Sequence, residues 1–331
     1  MEGTATVVVT NVALTYGANA TLRYNTATAR TASDEEWIVP FVATGGVIIA
    51  NSGTVTMNAA KVFSASVPLT INSGATLATN NLQLTFGGNF VNGGSLSAGS
   101  SPIVITNTMA AQSIDGFTTT GLVLLSKTSG TATFTGNVNG GGLTINGVGG
   151  TLNLGSGLTH TFTGTWTSTT GTLDGGSSLL KIGGNASGTG GTFTAGTGTV
   201  EWYATGAQTC AGVSYNNLII SGSGTKTLGG DATVEGTLTL TSGTFAVDGN
   251  TLTLNGPTIA GTPSNLVTAA TSSLVFGGTT AGVLIPSSVI ALNGLSITNT
   301  NIVTLQSSLT VSGTFNPAGA GLSIGANTLT L

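Results

Sequence analysis

Charged side chains are scarce in this chain. Of its 331 residues only 16 are charged, 6 Lys or Arg and 10 Asp or Glu, whereas a soluble domain carries roughly a quarter. Its one cysteine cannot form a disulfide within the chain. Its one histidine leaves little material for acid–base catalysis. The sequence therefore predicts a protein that is not an enzyme and that holds no cofactor and no metal.

The small number of basic residues also argues against one class of partner. The net charge is −4, and the Lys and Arg residues are spread from Arg23 to Lys226. Phosphate binding needs clusters of such residues, so no nucleic-acid partner is expected. No apolar stretch reaches the roughly 18 residues of a transmembrane helix, so no membrane span is expected either. The amino end lacks the regions of a signal peptide, so an exported form of this chain is expected to be mature or a fragment.

A short apolar triplet is what the sequence has in abundance. It consists of Leu, a small polar residue and a second apolar residue, and Gly, Asn and Ser separate one triplet from the next. Alternate side chains of a strand point to opposite faces, so the two apolar residues of a triplet share the inward face. Each triplet predicts a short strand with one buried side. Examples are Leu69-Thr70-Ile71, Leu143-Thr144-Ile145, Leu152-Asn153-Leu154, Leu238-Thr239-Leu240 and Leu252-Thr253-Leu254.

Several blocks of sequence recur at a constant offset of 77 in residue number. Leu218-Ile219-Ile220 returns as Leu295-Ser296-Ile297, and Thr251-Leu252-Thr253-Leu254 returns as Thr328-Leu329-Thr330-Leu331. A strict period marks a repeat architecture, with a turn on the order of 20 residues. We predict an all-β fold, a right-handed parallel β-solenoid (β-helix) with short strands. An antiparallel β-sandwich is the alternative, because hairpin turns such as Asn92-Gly93 also occur.

The first 44 residues differ from the rest. They contain a strand-like segment at 6–14 and the charge run Asp34-Glu35-Glu36, which we expect to be a solvated loop. We predict a capping or assembly segment at 1–44 and a solenoid at 45–331, with the super-repeat in its C-terminal half. The last triplet stops inside a core-type strand. The sequence thus predicts that the chain continues or that a second copy supplies a cap.

Candidate reactive groups have ordinary structural interpretations. His160 lies in a strand-like segment and is expected to point outward, and Cys210 is expected to be a small buried hydrophobe. Trp202 matches the repeat position of an apolar residue and is predicted to face the core. Asp231 and Glu235 are expected to be solvated acids, since serines stand at the matching positions of the second copy of the repeat.

Residues 217–228, 236–245 and 249–254 carry a resemblance to known proteins. They resemble the Gly/Thr-rich repeats of bacterial secreted surface proteins, including autotransporter-passenger-like and filamentous-haemagglutinin-like adhesins and fibre proteins. The resemblance extends over about residues 60–331. It implies a β-solenoid in an extracellular or cell-surface location, with a role in adhesion, coat or fibre formation.

These patterns lead to one favoured function and two alternatives. We expect a non-catalytic extracellular structural protein, a subunit of a filament, sheath or surface fibre that pairs with itself head to tail through β-strands. The first alternative is an adhesin that binds glycans or cells through the solenoid side, and the second is a polysaccharide-active β-helix enzyme. The residues predicted to form the joints between copies are Val7, Val8, Val9, Val12, Leu14, Leu322, Ile324, Leu329 and Leu331.

Overall fold

The computed structural model describes Glu2, Ala5, Val7 and residues 14–188 and 190–331. The fold is all-β, with about 1 % helix, the single 3₁₀ turn Pro263–Asn265 in the described part. The chain divides into two compact units. Unit 1 is Met1–Asp174 with Gly188–Thr192, and unit 2 is Gly175–Ser187 with Phe193–Leu331.

Short strands in unit 1 form three stacks of parallel ladders. One stack contains two runs of strands, β1-β3-β6-β9-β12-β15 and β5-β8-β11-β14, which meet at the long strand β17, and β19 adds to β17. The other two stacks are β2-β4-β7-β10 and β13-β16-β18. The strands are β1 (Leu22–Asn25), β2 (Arg30–Thr31), β3 (Val47–Ala50), β4 (Thr54–Thr56), β5 (Lys61–Val62), β6 (Leu69–Ile71), β7 (Thr76–Ala78), β8 (Leu84–Phe86), β9 (Phe90–Asn92), β10 (Ser95–Ser97), β11 (Ile103–Ile105), β12 (Ala111–Ile114), β13 (Phe117–Thr118), β14 (Leu122–Leu125), β15 (Thr131–Phe134), β16 (Val138–Gly140), β17 (Gly142–Asn153), β18 (Ser156–Phe162) and β19 (Trp166–Asp174).

Unit 2 is built in the same way. Its stacks are β20-β23-β26-β29-β32, β24-β27-β30-β33, β25-β28-β31-β34-β36-β38-β40 and β35-β37-β39. The remaining strands of the chain are β20 (Ser177–Ile182), β21 (Ala186–Ser187), β22 (Thr192–Thr194), β23 (Thr199–Trp202), β24 (Gln208–Cys210), β25 (Ser214–Tyr215), β26 (Asn217–Ile220), β27 (Thr225–Leu228), β28 (Ala232–Val234), β29 (Leu238–Leu240), β30 (Thr244–Ala246), β31 (Thr251–Leu254), β32 (Ala260–Gly261), β33 (Leu266–Val267), β34 (Ser273–Phe276), β35 (Leu284–Ile285), β36 (Ala291–Ile297), β37 (Val303–Leu305), β38 (Leu309–Asn316), β39 (Leu322–Ser323) and β40 (Leu329–Thr330).

Successive turns stack in parallel register, and this confirms the predicted parallel β-solenoid. In unit 1, Val123 pairs with Leu143, and in unit 2, Leu218 pairs with Leu238. Both steps agree with the turn of roughly 20 residues that the repeat predicted. The two units together hold about 14 turns. An antiparallel sandwich is excluded, because neighbouring strands on the described ladders run in the same direction.

The ladder begins before residue 45. β1 already pairs with β3, with Leu22 opposite Val47, and β2 pairs with β4. Residues 22–31 therefore contribute strands to the first turns of unit 1. The assignment of residues 1–44 to capping or assembly stays a prediction.

The interior of each turn is filled by the apolar residues of the triplets. In unit 2, Leu238 and Leu240 are buried on either side of the half-exposed Thr239. Trp202 is fully buried, which confirms its predicted place in the core. Each such side chain contributes roughly 1.5–3 kcal/mol when it leaves water. Within the described part of the chain, no helix is both long and apolar enough to cross a membrane.

Candidate functional site

Most of the basic residues lie inside the solenoid. Arg30 is 8 % exposed, and Lys61, Lys127 and Lys226 are each 0 % exposed. Charged groups are almost never fully buried unless they are paired, so each of these side chains needs a partner. This burial was not expected from the sequence, although one position carried a signal. Lys226 stands two residues before Leu228 in β27 and therefore shares its inward face.

The buried guanidinium of unit 1 forms an ion pair with Glu36. Arg30 donates from Nη2 to both carboxylate oxygens of Glu36, at 2.7 and 2.8 Å. The same carboxylate accepts from the Tyr24 hydroxyl at 3.1 Å and from the Ser33 backbone N–H at 3.2 Å. The Arg30 guanidinium also stands 4.9 Å from the centre of the Tyr24 ring. Burial is the main reason that the pKa of Tyr24 lies far above its usual value, with the Glu36 charge as a second cause.

The prediction of a solvated loop at Asp34-Glu35-Glu36 is therefore wrong for its third residue. Asp34 and Glu35 are exposed, but Glu36 is 0 % exposed. The turn at 34–36 directs one carboxylate into the interior because a buried guanidinium is there to receive it. Asp34 instead pairs with Lys61, whose Nζ is 2.9 Å from Oδ1. This contact lowers the pKa of Asp34.

A corner of the same design occurs in both units. In unit 1, Gln112 donates from Nε2 to the carbonyl oxygens of Phe86 and Gly88, at 3.2 and 2.7 Å. In unit 2, Gln208 donates to those of Ile182 and Gly184, at 2.9 and 2.6 Å. A corner interrupts the ladder and leaves carbonyl groups buried without a backbone donor, and these must be satisfied by side chains. The buried glutamines fill that role.

The glycines of the unit 1 corner leave no room for a side chain. A Cβ atom built on Gly87 would lie 2.0 Å from the carbonyl oxygen of Phe63. The sequence signal for the corner is an apolar residue followed by Gly-Gly-Asn, at 86–89 and at 182–185. The asparagine has a role as well, since Asn89 accepts from the Ser113 backbone N–H at 2.9 Å.

The two remaining buried lysines bond across turns of their own units. Lys226 donates from Nζ to the carbonyl oxygens of Ala204 and Ser223. Lys127 donates from Nζ to Asn107 Oδ1 at 2.6 Å. For both lysines, burial lowers the pKa. Neither contact places the amine on an open surface where it could reach a substrate.

His160 points inward, so the prediction that it lies on the surface is wrong. It is 0 % exposed. Its Nδ1 accepts from the Val138 backbone N–H at 3.1 Å, and its Nε2 lies 2.8 Å from the carbonyl oxygen of Leu154. The reason is the strand alternation itself, because His160 is two residues before the buried Phe162 and shares its face. Both ring nitrogens are used to join backbone segments.

Cys210 and the two dispersed acids occupy the predicted environments. Cys210 is buried and unpaired, and burial raises the pKa of its thiol well above the usual range. Asp231 and Glu235 are exposed. Asp231 Oδ1 accepts from the Thr251 backbone N–H at 2.7 Å. The second copy of the repeat keeps this bond, since Ser308 Oγ accepts from the backbone N–H at the position that matches Thr251, at 3.0 Å.

An open hollow of about 380 Å³ lies on the outer surface of unit 2. Its polar lining includes Asp231, Thr233, Thr251 and Thr253. These outward side chains belong to β28 and β31 and to the turn before β28. Within the part of the chain that the structure describes, no three His, Cys, Asp or Glu side chains come together as a metal site.

The residues predicted to form the joints fall into an amino-terminal group, from Val7 to Leu14, and a carboxyl-terminal group, from Leu322 to Leu331. Val8, Val9 and Val12 lie outside the described residues. Val7 and Leu14 are half-buried and belong to no strand. In the last turn of unit 2, Leu322 and Leu329 are half-buried in β39 and β40. Ile324 is 40 % exposed and Leu331 is 74 % exposed.

The fold defines the chain as a parallel β-solenoid. Comparisons of the chain with protein-family models, with curated proteins and with solved structures found no match.

The buried ion pair gives a direct stability test. We expect Glu36→Gln to lower the free energy of unfolding by about 3–5 kcal/mol, because it leaves the Arg30 charge buried without a counter-ion. Glu35→Gln is the matched control at an exposed neighbour, and it should change stability by less than about 0.5 kcal/mol. Urea denaturation measures both. Equal, small effects of the two substitutions would show that Arg30 and Glu36 are not paired inside the fold.

His160 makes stability depend on pH. Burial lowers its pKa in the folded state, with the hydrogen bond to the Leu154 carbonyl oxygen opposing part of the effect. The unfolded chain therefore takes up a proton on this residue near its usual pKa of about 6.5, before the folded protein does. Stability should fall as the pH drops below that value, by at most about 1.4 kcal/mol per pH unit. His160→Gln should remove this slope between pH 7 and 5, as measured by urea denaturation at each pH, and an unchanged slope would contradict the assignment.

Proposed function

We propose that this chain is a non-catalytic structural segment of an extracellular filament, sheath or surface fibre. The proposal is supported mainly by one observation: the buried polar side chains hydrogen-bond the backbone of the solenoid itself. His160 bonds backbone groups through both ring nitrogens, and Gln112 and Gln208 bond the corner carbonyls. Imidazole and amide side chains often form catalytic and binding sites, but in this protein they join one turn to the next. The extracellular location rests on the resemblance to Gly/Thr-rich surface proteins.

Assembly would extend the ladder that already links the turns. Within a turn, inward apolar residues such as Leu305 and Leu309 are 2 % and 1 % exposed because the following turn covers them. The inward residues of the last turn are half-exposed at Leu322 and Leu329. A following turn, of the same chain or of a second copy, would cover these side chains and pair with the strand edge. Contacts of this head-to-tail kind form open filaments when the rotation does not close.

The hollow on unit 2 supports a second candidate function, that of an adhesin. Hydroxyl groups of Thr233, Thr251 and Thr253 and the Asp231 carboxylate could hydrogen-bond a glycan. Among the described residues the large exposed hydrophobic side chains are all aliphatic, whereas an adhesin often presents exposed aromatic rings to sugars. We therefore favour the structural role.

Electron microscopy distinguishes the two functions. We expect the purified chain to form filaments whose axial repeat equals one subunit. Leu331→Lys should leave dispersed particles, because a charged side chain directly after β40 disfavours the pairing of this strand with another copy. Val148→Lys is the matched control, since Val148 is also an exposed aliphatic residue, at 70 %, and is not a predicted joint residue.

Three outcomes would count against end-to-end assembly through the last turn. Wild-type protein that stays dispersed at all concentrations would overturn the filament, and dispersed particles that bind glycans would favour the adhesin. Filaments of the Leu331→Lys protein equal to those of the Val148→Lys protein would place the joint elsewhere.

A further inference from the structure

Lys127 in unit 1 is a buried amine that contacts a side-chain amide. It is 0 % exposed. Its Nζ lies 2.6 Å from Asn107 Oδ1, 3.2 Å from the Met109 carbonyl oxygen and 3.3 Å from Gln112 Oε1. The ion pairs of the described residues do not include it. Burial lowers the pKa of Lys127, which raises the fraction of the amine that is unprotonated and nucleophilic.

The amide of Asn107 is held in one orientation and polarised. Its Oδ1 accepts the Met109 backbone N–H at 2.7 Å as well as the lysine amine. Its Nδ2 donates to the Gly87 carbonyl oxygen. Donors on the carbonyl oxygen stabilise the negative charge that develops there when a nucleophile adds to the carbon. The fixed geometry also keeps amine and amide together and so lowers the entropic barrier to reaction.

We propose that Lys127 and Asn107 form a covalent isopeptide bond that links two successive turns of unit 1. The neutral Nζ adds to Cγ of Asn107, and the charge on Oδ1 is stabilised by the Met109 N–H. The new Nζ–Cγ bond forms, the Cγ–Nδ2 bond breaks, and the amide nitrogen leaves as ammonia. One proton of Nζ passes to the leaving nitrogen. The atoms balance without an oxidant, a reductant or a second substrate.

The other buried lysines lack this combination. Lys61 contacts a carboxylate, Asp34 Oδ1, at 2.9 Å, and this hydrogen bond lowers the pKa of that acid. The carbon of an ionised carboxylate is a poor electrophile and resists attack by an amine. Lys226 contacts backbone carbonyl groups, which are part of the chain and have no ammonia to release. Lys127 is therefore the lysine at which the bond is expected.

Intact-mass spectrometry of the 331-residue chain, purified and incubated in neutral buffer, tests the bond. The wild-type mass should be lower than the calculated mass by one ammonia. An acylated Lys127 is not cut by trypsin, so digestion after unfolding should yield a peptide that runs from 62 to 181. Lys127→Met keeps a long buried side chain without the amine, and its mass should equal the calculated value. Lys226→Met is the matched control and should show the same ammonia loss as the wild type.

Loss of ammonia can also arise where an asparagine before a glycine, as at Asn92-Gly93, closes a succinimide. The Lys127→Met protein separates the two reactions, because it retains every Asn-Gly pair. Ammonia loss in Lys127→Met equal to that of the wild type would overturn the proposal. So would a wild-type protein of full calculated mass that trypsin cuts after Lys127 as completely as after Lys181.

Discussion

The parallel register between successive turns is the constraint on which this structure depends. A turn of about 20 residues contains strands too short to be stable alone, and each becomes stable only when the strand one turn away satisfies its backbone groups. The register places Leu218 over Leu238 and Ile220 over Leu240, so one set of pairings also builds the apolar interior. Because the side-chain period is two, a shift by one residue would turn this interior outward. Ladder and core therefore specify each other.

At the corners the ladder of backbone hydrogen bonds is interrupted, and polar side chains are needed to bond the buried backbone groups. Backbone carbonyls that leave the ladder stay buried, and Gln112, Gln208, His160 and Lys226 donate to them. A chain with few charges thus places most of its basic residues inside rather than on its surface. This use explains why groups suited to catalysis occur without an open site around them. It also creates the environment in which a buried amine, Lys127, meets a side-chain amide.

The strands that depend on a local alternation of apolar and polar residues could be predicted from the sequence. Triplets such as Leu238-Thr239-Leu240 predict short one-sided strands, and the constant spacing predicts stacked turns. The same alternation, applied to His160 through Phe162, would have placed the histidine inside. The ion pair of Arg30 with Glu36 could not be foreseen in this way, because it depends on a turn that brings a carboxylate to an interior position. The glutamine corners could not be predicted from the sequence, because the recurrence of Gly-Gly-Asn does not by itself show that a distant glutamine bonds the carbonyl groups there.

Disulfide crosslinking between neighbouring turns tests the parallel register most directly. In a Cys210→Ala background, Ile219→Cys with Thr239→Cys should oxidise readily, because these residues are opposite each other on adjacent parallel strands and strands lie about 4.8 Å apart, within disulfide reach. Ile219→Cys with Thr241→Cys should not, since a shift of two residues moves the Cα atoms to roughly 8 Å. Non-reducing electrophoresis of the two proteins measures the difference. Equal crosslinking of both pairs, or crosslinking of the shifted pair alone, would contradict the register and the solenoid built on it.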